Sequence, residues 1–225
     1  ITADSDGNGA GDFSINASKT LSTGNNSLAI TANDIGVLGS VSSGTGSTTI
    51  AVSDGGTIGL GGTSGDMSIT GAELANITAG ILNIGNSSTG NITVDGISAA
   101  NSNNITELNL TTASASSVNF SNSNSTFNAF RSIGGSTSFG SGLTIATDTG
   151  KLSIDSASVT SAGALTLTGA TGIDFGAGVS FTASGDLTMS TTSGDLTGAG
   201  AFTLASVGNI SLSENLTTAG TTIIT

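Results

Sequence analysis

Proline, cysteine, histidine, tryptophan and tyrosine are all missing from this 225-residue chain, and its only cations are Lys19, Arg131 and Lys151. Each absence excludes something. Without cysteine there is no disulfide framework and no thiolate site. Three cations cannot build a basic face for nucleic acid or anionic lipid. No apolar run approaches the roughly eighteen residues that span a bilayer. Polysaccharide-cleaving enzymes need a general acid or base, often a cation for developing charge, and aromatic platforms for sugars. Here the one Arg lies in a Ser/Asn stretch, and no carboxylate pair stands apart from the turn aspartates as a hydrolase would need. The expectation is a protein that is not an enzyme.

What remains is mostly Gly, Ser, Thr, Asn and Ala, with fifteen acidic residues and a net charge of −12. High charge with much Gly and Ser can mark disorder. A hydrophobic content of 36% argues against it, because the Ile, Leu, Val and Phe recur at regular intervals. The length suits one large domain or two small ones.

The recurring unit is apolar, small polar, apolar, as in Phe13-Ser14-Ile15, Leu28-Ala29-Ile30, Met67-Ser68-Ile69, Ile92-Thr93-Val94 and Leu108-Asn109-Leu110. That alternation makes a short strand with two side chains in and one out. Gly, Asn, Asp and Ser separate the units, which reads as turns. Nothing repeats at helical spacing.

A longer period appears in the second half. Leu143, Leu165, Leu187 and Ile210 open equivalent strands 22, 22 and 23 residues apart. Leu152, Ile173 and Leu196 form a second series, and Val159, Phe181 and Phe202 a third. Three strands per unit of about 22 residues indicate a β-solenoid, a parallel β-helix. The two copies of S-G-D-L-T at 184–188 and 193–197 are then successive faces of one coil. Leu28 to Ile50 (22), Met67 to Ile92 (25) and Leu82 to Leu108 (26) suggest looser coils in the first half. About ten coils fit, giving a rod roughly 45–50 Å long. The expected organisation is one continuous solenoid over 1–225: looser coils in 1–110, an irregular Phe-containing coil or loop in 111–142, and regular coils in 143–225. Thr144, Thr166, Thr188 and Ser211 should form an outward ladder.

The stretches "DSDGNGAGDFSINASKTLSTGNNSLAITANDIGVLGSV", "SGTGSTTIAV", "GDMSITGAELANITAGILNIG" and "GNITVDGI" resemble the repetitive passenger regions of giant bacterial surface exoproteins of the filamentous-haemagglutinin-like and autotransporter-adhesin type. The resemblance covers most of residues 1–110 by phrase and the remainder by composition and period. It implies a right-handed parallel β-helical rod, secreted to the outer surface of a bacterial cell, that serves as an adhesin, stalk or fibre. The right hand also accords with the general preference for right-handed parallel crossovers.

Three local features stand out. Asp4, Asp6, Asn8 and Gly9 match the opening of the EF-hand pattern, with Asp12 at its ninth position. Calcium is therefore a candidate ligand, although Ile15 stands where a bidentate Glu belongs. The alternative is a polar turn between repeats. Phe120, Phe127, Phe130 and Phe139 gather beside Arg131. They fit either a protruding aromatic contact, with Phe127, Phe130 and Arg131 as its surface, or a wider coil with the rings inside. The chain also begins and ends within its apolar pattern, at Ile1 and at Ile223-Ile224. Expected partners are therefore further coils of a longer chain or neighbouring subunits in a filament, with contacts at 1–12 and 215–225. A host or neighbouring-cell surface is a further expected partner, and neither nucleic acid nor membrane insertion is. Alternatives to the structural reading are a β-helical polysaccharide-acting enzyme and an ice- or mineral-binding Thr ladder.

Overall fold

The computed structural model describes residues 1–225. It is an all-β solenoid of about ten turns whose strands pair parallel, in the regular part each with a strand of the next coil. Each regular coil contributes three strands, and each strand stacks into one of three faces.

The first face runs from Leu28–Ala32 through Ser47–Val52, Ile77–Gly85, Ile105–Thr111, Phe130–Phe139, Leu152–Ser161, Ile173–Phe175 and Leu196–Gly198 to Leu216–Thr218. The second begins at Ile58–Gly61, takes in Ile92–Asp95 and Ser117–Phe120, and ends at Thr222–Ile224. The ten-residue strands Phe130–Phe139 and Leu152–Ser161 serve both faces, which unites the two in one 18-stranded sheet. In the second half the third face is a five-stranded sheet, from Ser125–Phe127 to Ile210–Leu212.

The sequence periods are structural. Leu143, Leu165, Leu187 and Ile210 are successive register partners, as are Leu152, Ile173 and Leu196. The third series needs correction at its last step. Val159 pairs with Phe181, but Phe181 pairs with Leu204, and Phe202 lies over Val179. Both are inward positions two residues apart, so periodicity alone could not separate them.

The first half departs further from expectation. Leu28 lies over Thr48, and Ile50 belongs to Ile30, a step of 20. Leu82 does pair with Leu108. Met67 does not step to Ile92: both flank Ile58, one on each side. The segment Gly62–Ile69 is thus a detour within one enlarged coil, across which Thr48 reaches Leu82.

Two helical turns, Gly71–Ala75 and Ala99–Ser102, were not expected from the periodicity. Thr70 and Glu73 form a capping box: the Thr70 hydroxyl accepts from Glu73 N at 3.2 Å, and Glu73 Oε2 accepts from Thr70 N at 2.9 Å. The helices pack on each other, the first against Ile35–Val37 and the second against Ser125–Phe127. They fill the third face where it has no strand. Glu73 Oε1 accepts from Val37 N at 3.1 Å, and Asn76 Nδ2 donates to Val37 O at 2.8 Å. Side chains thereby satisfy a strand edge that would otherwise leave buried backbone groups unpaired.

The interior is one continuous core of 45 buried apolar residues. Through the Phe-containing stretch expected at 111–142, Leu108, Phe130 and Leu152 follow one another at steps of 22. Phe127, Phe130, Phe120, Phe139, Phe181, Phe175 and Phe202 touch in sequence, with ring centroids 4.7–6.5 Å apart. This aromatic spine takes seven of the eight Phe residues. Three buried hydroxyls pair with one another inside: those of Ser132, Thr137 and Ser156 form a chain with links of 2.6 and 2.8 Å.

Candidate functional site

Outward positions carry what the rod can offer a partner. On the third face Thr144, Thr166, Thr188 and Ser211 form the expected ladder. A second column, Ala146, Thr168 and Ser190, runs beside it, and the Thr168 and Ser190 hydroxyls lie 3.2 Å apart. The result is a surface made largely of hydroxyls, with Asp186 beside it.

The first face differs. Its main outward column reads Thr49, Asn83, Asn109, Arg131, Ser153, Asp174, Thr197 and Thr217. Asn109 Nδ2 donates to Asn83 Oδ1 at 3.0 Å, and Asn83 Nδ2 donates to Thr49 at 3.4 Å. Asn109 Oδ1 is shielded from solvent and accepts nothing. Beyond it come two ion pairs, each reaching one coil onward. Arg131 holds Asp155 through Nε and Nη2. Lys151 Nζ lies 2.7 Å from Asp174 Oδ2, whose other oxygen accepts from the Thr197 hydroxyl.

Arg131, Asp155, Asp174 and Thr197 wall an open depression of about 350 Å³. The hollow has a local cause. The column after Asp155 shrinks to Gly176 and Ala199, which the ladder places there through Gly176 N to Ile154 O and Ala199 N to Phe175 O. Gly176 and Ala199 therefore stand where larger outward residues would fill the surface. Sequence reading missed this cluster. Its signal was there: Arg131 and Asp155 are 24 residues apart, and Lys151 and Asp174 are 23 apart, one coil in each case.

The other candidates fall elsewhere. Phe127 and Phe130 are 0% and 1% exposed, so neither ring is a surface contact. They belong to the aromatic spine, because outward exposure would cost each ring its burial. Of that trio only Arg131 faces solvent. Asp4, Asp6 and Asn8 lie together while Asp12 is held by Asn33, and no three acidic side chains of the chain are grouped as metal ligands would be. Asp4 accepts from Asn8 N at 3.2 Å, Gly9 N at 3.0 Å and Ser53 Oγ at 2.6 Å. Asp6 is bound to the Asn8 amide, and Asp12 to Asn33. The segment is a polar turn stapled to a later coil. The Ser53 hydroxyl, opposed by burial and aided by the Gly9 N–H, holds the Asp4 carboxyl below its usual value. The Thr57 backbone N–H and then its hydroxyl do the same for Asp66.

Asp12 and Asp34 immediately precede the register partners Phe13 and Ile35, so two carboxylates do follow one another in neighbouring coils. Asp34 Oδ1 accepts from Ile35 N at 2.9 Å and Ser68 N at 2.8 Å, which offsets the repulsion.

Compared with known protein families, curated proteins and solved structures, the chain matches none. No helix is long and apolar enough to cross a membrane.

Proposed function

We propose that this chain is an extracellular structural and adhesive β-solenoid: a stalk, fibre or surface filament of a bacterial cell, of the filamentous-haemagglutinin-like type. The observation that carries the reading is the rod itself. One unbroken core runs through about ten coils, while the outward columns are built largely of Ser, Thr and Asn. A parallel ladder at each coil makes such a rod stiff, and small hydroxylated residues keep its faces wettable. The secreted location and the right hand rest on the sequence resemblance. The net charge opposes lateral clustering.

The test is adhesion. Beads coated with the chain should bind bacterial or host cells, whereas beads coated with unfolded chain should not. Equal retention by both would reject the adhesive part. Solution scattering from anything other than an elongated particle would reject the rod.

A second reading has one observation in its favour. The paired hydroxyl columns on the third face form a two-dimensional lattice suited to ice or a mineral surface. Thermal hysteresis, or its absence, decides it.

A further inference from the structure

We propose that the depression between Arg131, Asp155, Asp174 and Thr197 is a binding subsite for an uncharged saccharide presenting a vicinal diol. The proposal rests on the adhesive reading and deepens it by assigning a place and a ligand chemistry.

The distribution of charge is the first reason. Two of the chain's three cations meet two of its aspartates here, on a surface otherwise made mostly of hydroxyls and amides. The state of those charges is the second. Both cations are already matched by carboxylates one coil away. An anionic ligand would have to displace Asp155 or Asp174 and approach a chain of net charge −12. A metal ion would have to strip Arg131 and Lys151 from the same oxygens. An uncharged ligand disturbs neither pair.

The unused hydrogen-bonding capacity points the same way. Arg131 spends Nε and Nη2 on a single oxygen of Asp155. Arg131 Nη1, on the far edge of the guanidinium, and Asp155 Oδ1 take no protein hydrogen-bond partner, a donor and an acceptor held in place by the ion pair. One hydroxyl of a diol can donate to Asp155 Oδ1 while its neighbour accepts from Arg131 Nη1. Both bonds are charge-assisted and stronger than neutral ones. Thr197 and Ser153 offer further hydroxyls on the wall. Gly198 and Ala199 on its wall leave room for the ring to lie against the rod, and because the hollow follows from the stacking, it exists before the ligand arrives.

Titration of the full chain with cellohexaose, chitohexaose and maltohexaose, followed by calorimetry, tests the assignment. At least one should bind saturably. Asp155→Asn should weaken it by about tenfold, the loss of one charge-assisted bond. Ala199→Gln, which fills the hollow without removing any polar group, should weaken it at least as much. Ser180→Gln on the second face should leave it unchanged. Circular dichroism of each variant checks that the rod is intact. Failure of all three sugars at millimolar concentration overturns the subsite, as does undiminished binding by Ala199→Gln. Tighter binding of a sulfated oligosaccharide or of calcium at these residues overturns the uncharged assignment. Cell adhesion that persists without sugar binding would sink the subsite and leave the adhesive reading standing.

Discussion

The two halves of the rod solve one problem differently. From Leu108 onward, register steps along the first face stay close to 22 residues, and the core is threaded by stacked Phe rings. Before it, steps on that face range from 20 to 34, as in Leu28 to Thr48 and Thr48 to Leu82. There the core is aliphatic, and polar side chains hold the backbone where ladders fail. Glu73 and Asn76 serve Val37, Asp34 serves Ser68 N, and Asp66 serves Thr57. Regular coils satisfy their backbone through one another, whereas irregular coils need a side chain at each departure.

The largest effect should come from the spine. Phe130 touches both Phe120 and Phe127. Phe130→Ala should cost about 3–5 kcal/mol in denaturant unfolding. A double-mutant cycle with Phe120 should find coupling of about 0.5–1.5 kcal/mol. Ile50 in the aliphatic half should show no such aromatic coupling. Zero coupling between the two rings would mean that the spine is only filler.

Glycines offer a second separation. Gly61, at the detour, has φ +89°, and a Cβ there would collide with the Asp95 carbonyl oxygen. Gly178, in a regular coil, has φ +74° and open space around it. Gly178→Ala should cost about 1 kcal/mol, the left-handed conformation alone. Gly61→Ala should cost more, about 2–4 kcal/mol, since backbone must also shift. Equal losses would show that the detour yields freely.

Acid should act on the first half before the second. Asp4 and Asp66 are the acids whose folded carboxyls are held below the usual value of 3.8. A lowered folded pKa stabilises above the unfolded value, and that contribution disappears as pH falls through the folded one. Hydrogen exchange between pH 5 and pH 2 should therefore show protection lost first around residues 4–9, 53 and 57–66. Asp4→Asn should remove the pH dependence at residues 4–9. Uniform loss along the rod would contradict the assignment.

The smallest effect belongs to the ion pairs. Arg131 and Lys151 are about half exposed, so each pair should contribute only about 0–1 kcal/mol, screened by salt. Arg131→Ala should leave thermal stability in molar salt unchanged. A large loss there would mean that Arg131 also acts through its packed stem.

Sequence alone determined the solenoid, its period and most of its regular ladders. A strand buried on one face repeats its apolar pattern every coil, and coil length shows directly as spacing. It also contained the Thr70–Glu73 capping box and the one-coil spacing of the ion pairs, both too local to stand out from so much Ser, Thr and Asp. Tertiary structure alone decided the register at Phe181 and Leu204, where two inward positions were equally good. It decided that Met67 turns back beside Ile58, because a detour of that length leaves no periodic trace. It also decided that Phe127 and Phe130 lie inside and that a hollow opens beside Arg131. An apolar residue's side of the sheet depends on neighbours a coil away, and a hollow depends on which small residues stand next to large ones across coils.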